Sequence, residues 1–175
     1  MHPSSIENMK KAKTLLGSRI GKQITVLDVG GRALKVEKDR SYKPIWESVS
    51  ENYWVADLVK GHNVTHPMPA PYTLPLDDES VDLVVSGQTL EHVKNPFRSV
   101  AEMVRVMKKD AYIILIAPSA GPRHDSIDCW RFMDDSFKAI AEEVGLKVIA
   151  DWIDTDKKWE ERSARWKDHV FIGQK

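Results

Sequence analysis

The chain is poor in several features that would declare a function at once. Its 175 residues contain one cysteine, Cys129, which excludes an internal disulfide and with it the disulfide-built secreted scaffold. Neither sign of charge is in excess: 26 Lys and Arg balance 26 Asp and Glu, so no global field draws the molecule to nucleic acid. A modest basic cluster (Lys10, Lys11, Lys13, Arg19, Lys22) is confined to the N-terminal region. The longest apolar run, Ala111 to Ala117, is far too short to cross a bilayer, and the N-terminus lacks the apolar stretch of a secretory signal. The expectation is a cytoplasmic protein with no nucleic-acid or membrane partner. No repeat or low-complexity segment breaks the chain, whose length suits a single domain over 1–175, with an N-terminal helix or lid over 1–22 and a core over 23–175.

What is present begins with the run Ile24-Thr25-Val26-Leu27-Asp28-Val29-Gly30-Gly31. It reads as a buried strand that ends in a turn, where glycine lets a ligand approach the backbone and turns amides toward a polar group. A second run, Tyr53-Trp54-Val55-Ala56-Asp57, also ends in an acid. Two carboxylates at neighbouring strand ends mark where open α/β sheets bind ligands. The turn is not a dinucleotide fingerprint, because Gly30 and Gly31 are followed by Arg32, Ala33 and Leu34 in place of further glycines. That disfavours a nicotinamide-dependent oxidoreductase.

The remaining pattern alternates strands and helices. Ser4 to about Leu16 reads as a helix with capping-box spacing between Ser4 and Glu7. Pro44 to Ser50 allows only a brief helix, a thin crossover for a parallel strand pair. Four prolines between Gly61 and Pro75 leave at most a short edge strand near Val64. Val81 to Ser86 and Tyr112 to Ala117 are buried strands. Between them Asn95 and Pro96 open a helix whose inward positions read as Phe97, Val100, Val104 and Met107, with Lys108 and Lys109 at its end. A helix capped by Asp134, with Phe137, Ile140, Ala141 and Val144 inward and Gly145 as its stop, precedes strands at Val148 to Ile153 and His169 to Ile172. The expected fold is α/β, mostly parallel, with helices on both faces.

The order VLDVGGRAL, WVADL, LPLDDESVDLVVSGQTLEHVKNPFRSVAEMVRVMKKDAYIILIAPS, CWRFMDDSFKAIAEEVGL resembles the class I S-adenosylmethionine-dependent methyltransferases, in particular the small type-11 group. The resemblance spans roughly residues 24 to 150 and is most specific in LPLDDESVDLVVSGQTLEHV. It implies a Rossmann-like sheet of seven strands with the last antiparallel, and S-adenosylmethionine lying across the ends of the first, second and fourth strands. By position, Asp28, Gly30 and Gly31 would border the methionine part, Asp57 would bond the ribose hydroxyls, and Ser86, Gly87 and Gln88 would line the wall beside the sulfonium. Arg32 and Ala33 stand where members usually carry glycine, and Ala70 stands where they carry an acid against adenine.

The candidate catalytic residues are His92, His124 and Asp128. His92 reads either as a general base or as a partly buried histidine bonded to backbone. No metal is expected, because position 88 holds glutamine and divalent ions of that kind prefer carboxylates. The long segment Ser119 to Phe132 leaves a strand end, as functional loops do. Its His124, Asp125, Asp128 and Arg131 either serve a substrate hydroxyl, or Asp128 pairs with Arg131 while Cys129 and Trp130 pack into the sheet. Cys129 has no activating neighbour in sequence. Pro67 denies His62 and His66 the helix a zinc pair would need, so both read as solvated. Trp152, Trp159 and Trp166 either flank a flat substrate or staple their connection to the core.

The function these readings favour is methyl transfer from S-adenosylmethionine to a small acceptor, an oxygen on a sugar or related metabolite. The alternatives are a non-catalytic binding module on the same framework and, third, a nicotinamide oxidoreductase. The thin crossovers leave sheet that a second copy could cover, which allows a homodimer.

Overall fold

The computed structural model describes residues 3–33, 41–155 and 165–175. In chain order the elements are α1 (Pro3–Leu16), β1 (Ile24–Val29), α2 (Lys43–Trp46), β2 (Ser50–Asp57), β3 (His66–Pro67), β4 (Val81–Gly87), α3 (Pro96–Val106), β5 (Met107–Pro118), α4 (Ser136–Val144), β6 (Lys147–Ile153) and β7 (Asp168–Gln174). The strands form one seven-stranded sheet in the order β3-β2-β1-β4-β5-β7-β6. β7 alone runs against its neighbours, antiparallel to both β5 and β6, while β3, β2, β1, β4 and β5 are parallel. The expected Rossmann-like sheet with a reversed last strand is therefore present.

The pleat explains the layering, because successive residues face opposite sides of a strand. Leu27, Val84, Ile113, Leu115 and Phe171 face one way and meet Val100 and Met103 of α3 and Phe137 and Ile140 of α4. Val26, Leu83, Val85, Ile114, Ile116, Val170 and Ile172 face the other way and meet Met9, Ala12 and Leu16 of α1 and Trp46 of α2. Strands buried on both faces carry the near-continuous apolar runs seen in β4 and β5.

Several local expectations change. α3 starts where expected: Asn95 Oδ1 accepts from Arg98 N at 3.1 Å and Pro96 occupies the first turn. Replacing Asn95 with alanine should cost about 1 kcal/mol, read as a lower melting temperature with unchanged cofactor affinity. Its buried face, however, is Ser99, Val100, Met103 and Val106, and Phe97 is exposed. Met107, Lys108 and Lys109 belong to β5, because the chain turns from helix to strand at Met107 without a loop. α4 is flanked by Asp135, not Asp134, and no side chain caps it. Gly145 ends it at φ 74°. The edge strand lies at His66–Pro67, not at Val64, and the His66 ring lies tilted against Trp54, centroids 4.8 Å apart, half-buried instead of standing in solvent.

The first turn of α1 is not a capping box. Glu7 pairs with Lys10, and Ser4 Oγ donates to Asp168 Oδ2 of β7 at 2.8 Å. Ser5 bonds Tyr42 Oη at 2.6 Å and Asn8 Nδ2 donates to Asp154 Oδ2 at 2.8 Å. α1 thus docks through buried polar groups as well as Met9, Ala12 and Leu16. Among the described residues no helix is long and apolar enough to cross a membrane.

Candidate functional site

A cavity of about 400 Å³ opens at the carboxyl ends of β1, β2 and β4. Val29 and Gly30 come from β1 and its turn, Asp57 and Leu58 from β2, and Met68, Pro71 and Tyr72 from the proline-rich segment. Thr89, His92, Val93 and Lys94 follow β4, Ser99 comes from α3, and Ile127 from the long loop. A wider groove of about 530 Å³ between α1 and α2, lined by Lys10, Lys13 and Ile45 among others, lies away from the strand ends.

The sheet dictates this placement. Parallel strands send every connection from the same edge, and Asp28 stands beside Val55 and Val85 in register, so the segments after Val29, Ala56 and Ser86 meet at one rim. Gly30 has φ 79°, and a Cβ there would lie 2.2 Å from Thr89 Oγ1. Only glycine can make that turn with Thr89 against it.

Of the residues expected to touch a cofactor, Gly30 and Asp57 line the cavity. The others face protein. Asp28 is 1% exposed and accepts Tyr53 Oη–H at 2.7 Å. Gly31 gives its carbonyl to Asn63 Nδ2. Ser86 Oγ donates to Val29 O at 2.8 Å, bracing β4 against the β1 turn. Gly87 lies under Tyr42, whose Oη would be 1.8 Å from a Cβ. Gln88 sits in the left-handed region at φ 57°, and its Nε2 donates to the buried Asp168 at 2.9 Å. Burial pushes the Asp168 carboxyl up from its ordinary range. A bulky residue held at positive φ beside a cavity is the kind of strain that binding sites store.

Asp57 Oδ1 accepts from Val59 N at 2.8 Å and lies 3.6 Å from Arg32 Nε. The carboxylate is therefore fixed at the wall, with a cation beside it.

The three candidate catalytic residues come together at the other end. His92 Nδ1 meets the carbonyl of Ile127 at 2.5 Å. A carbonyl only accepts, so Nδ1 carries the proton and the lone pair sits on Nε2. His124 stands 4.9 Å from His92 ring to ring and sets its own Nδ1 2.9 Å from Asp128 Oδ2. Asp128 is clamped by Arg131 through both oxygens, at 2.5 and 2.9 Å. The guanidinium hydrogen bonds hold the Asp128 carboxyl well below the usual range. Asp128 and Arg131 thus pair structurally and still orient His124.

Cys129 and Trp130 do not pack into the sheet. Both are exposed, and Trp130 Nε1 donates to Val93 O at 2.8 Å. Trp166 is buried, 4.7 Å from the His124 ring, and its carbonyl takes the Ala120 amide, so it staples the loop. Trp152 is half-buried in β6 with Lys11 Nζ 4.6 Å from its ring. Trp159 falls outside the described residues.

Sequence reasoning missed Leu58, Met68, Tyr72 and Thr89. Leu58 carries a signal: it is an apolar residue directly after the strand-end acid, and it stands 53% exposed. Met68 and Tyr72 lie in a stretch with no periodicity to read.

The residues fit a nucleoside cofactor. Asp57 offers a fixed acceptor for a diol, Leu58, Met68 and Pro71 offer an apolar flank for a flat base, and Gly30 lets a chain pass close to the backbone. The comparisons agree with this geometry. A model of the type-11 methyltransferase domain matches residues 10–115. The biotin biosynthesis bifunctional protein BioHC of Teredinibacter turnerae is 28% identical over 89 residues, 45% of this chain, and the match spans only 16% of that protein's length. A chain solved in complex with a methyltransferase activator from Haloferax volcanii superposes with TM-score 0.71 at 17% identity, over 95% of this chain and 89% of that one. The Burkholderia thailandensis 1,6-didemethyltoxoflavin N1-methyltransferase, solved with its substrate and S-adenosylhomocysteine, superposes with TM-score 0.71 at 13% identity, over 98% and 80%. With a domain model covering more than half its length and the matching sheet, the chain belongs to the class I S-adenosylmethionine-dependent methyltransferases of type 11.

Proposed function

We propose that this chain methylates an oxygen of a small acceptor, a sugar or related metabolite, with S-adenosylmethionine held between Gly30 and Asp57. The single observation that carries the reading is the cavity at the strand ends, which joins a strand-end carboxylate at one end to a histidine at the other. Asp57 would hold both ribose hydroxyls, Leu58 and Met68 would flank the base, and Gly30 and Thr89 would border the methionine part. When bound, the cofactor supplies a methyl group on a positively charged sulfur.

The protein's own part is to position the acceptor and remove its proton. His92 reaches the cavity with its Nε2 lone pair free of the Ile127 carbonyl, which suits it to take a hydroxyl proton. His124, oriented by Asp128, would share that proton across the paired rings. Tyr72, Lys94, Ser99 and Ile127 would form the acceptor's surroundings, and holding the acceptor in line accounts for much of the expected acceleration. We infer also that the protein acts as a single cytoplasmic domain, alone or as a homodimer.

The Arg32 guanidinium beside Asp57 favours a second reading, a non-catalytic module in which that cation occupies the ribose position. Calorimetric titration with S-adenosylhomocysteine, followed by incubation with methyl-labelled cofactor and a panel of hydroxylated acceptors, separates the two. Methyl transfer predicts one cofactor molecule per chain and label on at least one acceptor. Failure to bind even millimolar cofactor would leave the module reading standing.

A further inference from the structure

We propose that Glu91, His92 and His124 form a binding site for one divalent transition-metal ion of the zinc class, with an open position turned toward the cavity. The sequence argued against a metal on the ground that position 88 is glutamine. The fold brings a different third group, His124, from a loop more than thirty positions away.

Glu91 is fully buried, and among the described residues neither of its carboxylate oxygens has a hydrogen-bond partner. Such a group in a folded core calls for an explanation. Its Oε1 lies 3.6 Å from His92 Nε2, and one ligand atom from each of Glu91, His92 and His124 falls within 4.8 Å of the others. Tetrahedral zinc, with bonds of about 2.0 to 2.1 Å, sets its ligands roughly 3.4 Å apart. The set therefore has to close by up to about 1.4 Å on binding, a movement open to His124 on its exposed loop.

The second argument is the orientation of the rings. Metal-bound histidines usually give their other N–H to a carbonyl or carboxylate, which fixes the tautomer. Here His92 gives Nδ1–H to Ile127 O, and His124 gives Nδ1–H to an ionised Asp128. Both Nε2 lone pairs are thereby freed for a common ligand. Two imidazoles and one carboxylate suit zinc and its first-row neighbours better than magnesium or calcium. Three protein ligands leave a fourth position for a water or a substrate oxygen. With the ion bound, His92 and His124 would spend their Nε2 lone pairs as ligands, and the ion would replace His92 as the means of easing the acceptor's proton away to solvent; that use rests on the methyltransferase reading, whereas binding of the ion does not.

The test uses the full chain, stripped with a chelator and free of cofactor and acceptor. Cobalt(II) is added while its visible absorption is recorded, and zinc is then used to displace it. The expected result is one ion per chain with a tetrahedral spectrum. His124→Ala should weaken binding about 100-fold or more, and Asp128→Asn, which keeps all three ligands, about 10- to 100-fold. Circular dichroism verifies that both variants fold. Cys129→Ser should leave the spectrum unchanged. The site is overturned if no ion binds, if His124→Ala binds as the parent does, or if the spectrum depends on Cys129. A protein that binds S-adenosylhomocysteine but no ion loses only this site; one that binds the ion but no cofactor loses the methyltransferase reading instead.

Discussion

Replacing Glu91 with glutamine is expected to stabilise the metal-free protein by about 3 kcal/mol at pH 8 and to leave its stability nearly unchanged at pH 4. Burial pushes the Glu91 carboxyl up from 4.5 to about 7. The groups facing it are His92, which favours its ionisation, Asp128 and Asp168, which oppose it, and the more distant Arg131 and Tyr42. Because the folded-state value is raised, the native protein holds a proton that the unfolded chain has released between about 4.5 and 7. Stability therefore falls as pH rises through that window and stays lower above it. At 1.36 kcal/mol per pH unit the cost of ionising Glu91 in place comes to about 3 kcal/mol. Glutamine resembles the protonated form and escapes the cost. Urea unfolding at pH 4, 6 and 8 with a chelator present measures it, and a melting temperature higher by roughly 6 to 12 °C at pH 8 would accompany it. A gain that is the same at every pH would show that ionisation is not its cause.

Replacing Asp57 with alanine is expected to weaken S-adenosylhomocysteine binding by about 30- to 100-fold. Hydrogen bonds to a charged group contribute about 1.5 to 3 kcal/mol, and each 1.4 kcal/mol is a factor of ten in affinity. Val59 N and Arg32 already hold the carboxylate in place, so its ordering is not a further cost of binding. Asp57→Asn keeps one acceptor and should lie between the two. Calorimetric titration of the three proteins gives the ratios. Equal affinity in all of them would remove Asp57 from the ribose position, and an unfolded variant would be recognised by its lost circular dichroism.

The sheet was legible because its strands are buried on both faces. VDLVVS is nearly continuous and YIILIA continuous in apolar character, as central strands are. The helix between them was legible in its start but not in its inward side. Asn95 and Pro96 mark a beginning by chemistry, whereas the face depends on where the sheet lies, and Ser99 is buried there while Phe97 is not. Its end was obscured because β5 follows without a turn, so Lys108 and Lys109 read as helical.

At the site, Gly30 and Asp57 were legible because each ends a strand. Ser86 and Gly87 close a strand and Gln88 follows it, but Val29, Tyr42 and Asp168 claim them, and those partners are brought up by tertiary packing alone. The neighbourhood of His124 and His92 is of the same kind, since no local pattern links a loop residue to one 32 positions earlier. Met68 and Tyr72 sit in a segment whose prolines erase periodicity, and only the cavity reveals them.

Because β7 slots between β5 and β6, the flank of β5 stays bare until Asp168–Gln174 has been made. Ser4 likewise waits for Asp168, 164 positions on, before the first helical turn can dock. A ribosome extending this chain would carry an unfinished sheet with one sticky border from the making of β5 until β7 is in place. Chaperone protection of the nascent chain should therefore matter most until β7 has emerged, and shortening β7 should harm solubility more than removing any equal stretch of surface loop.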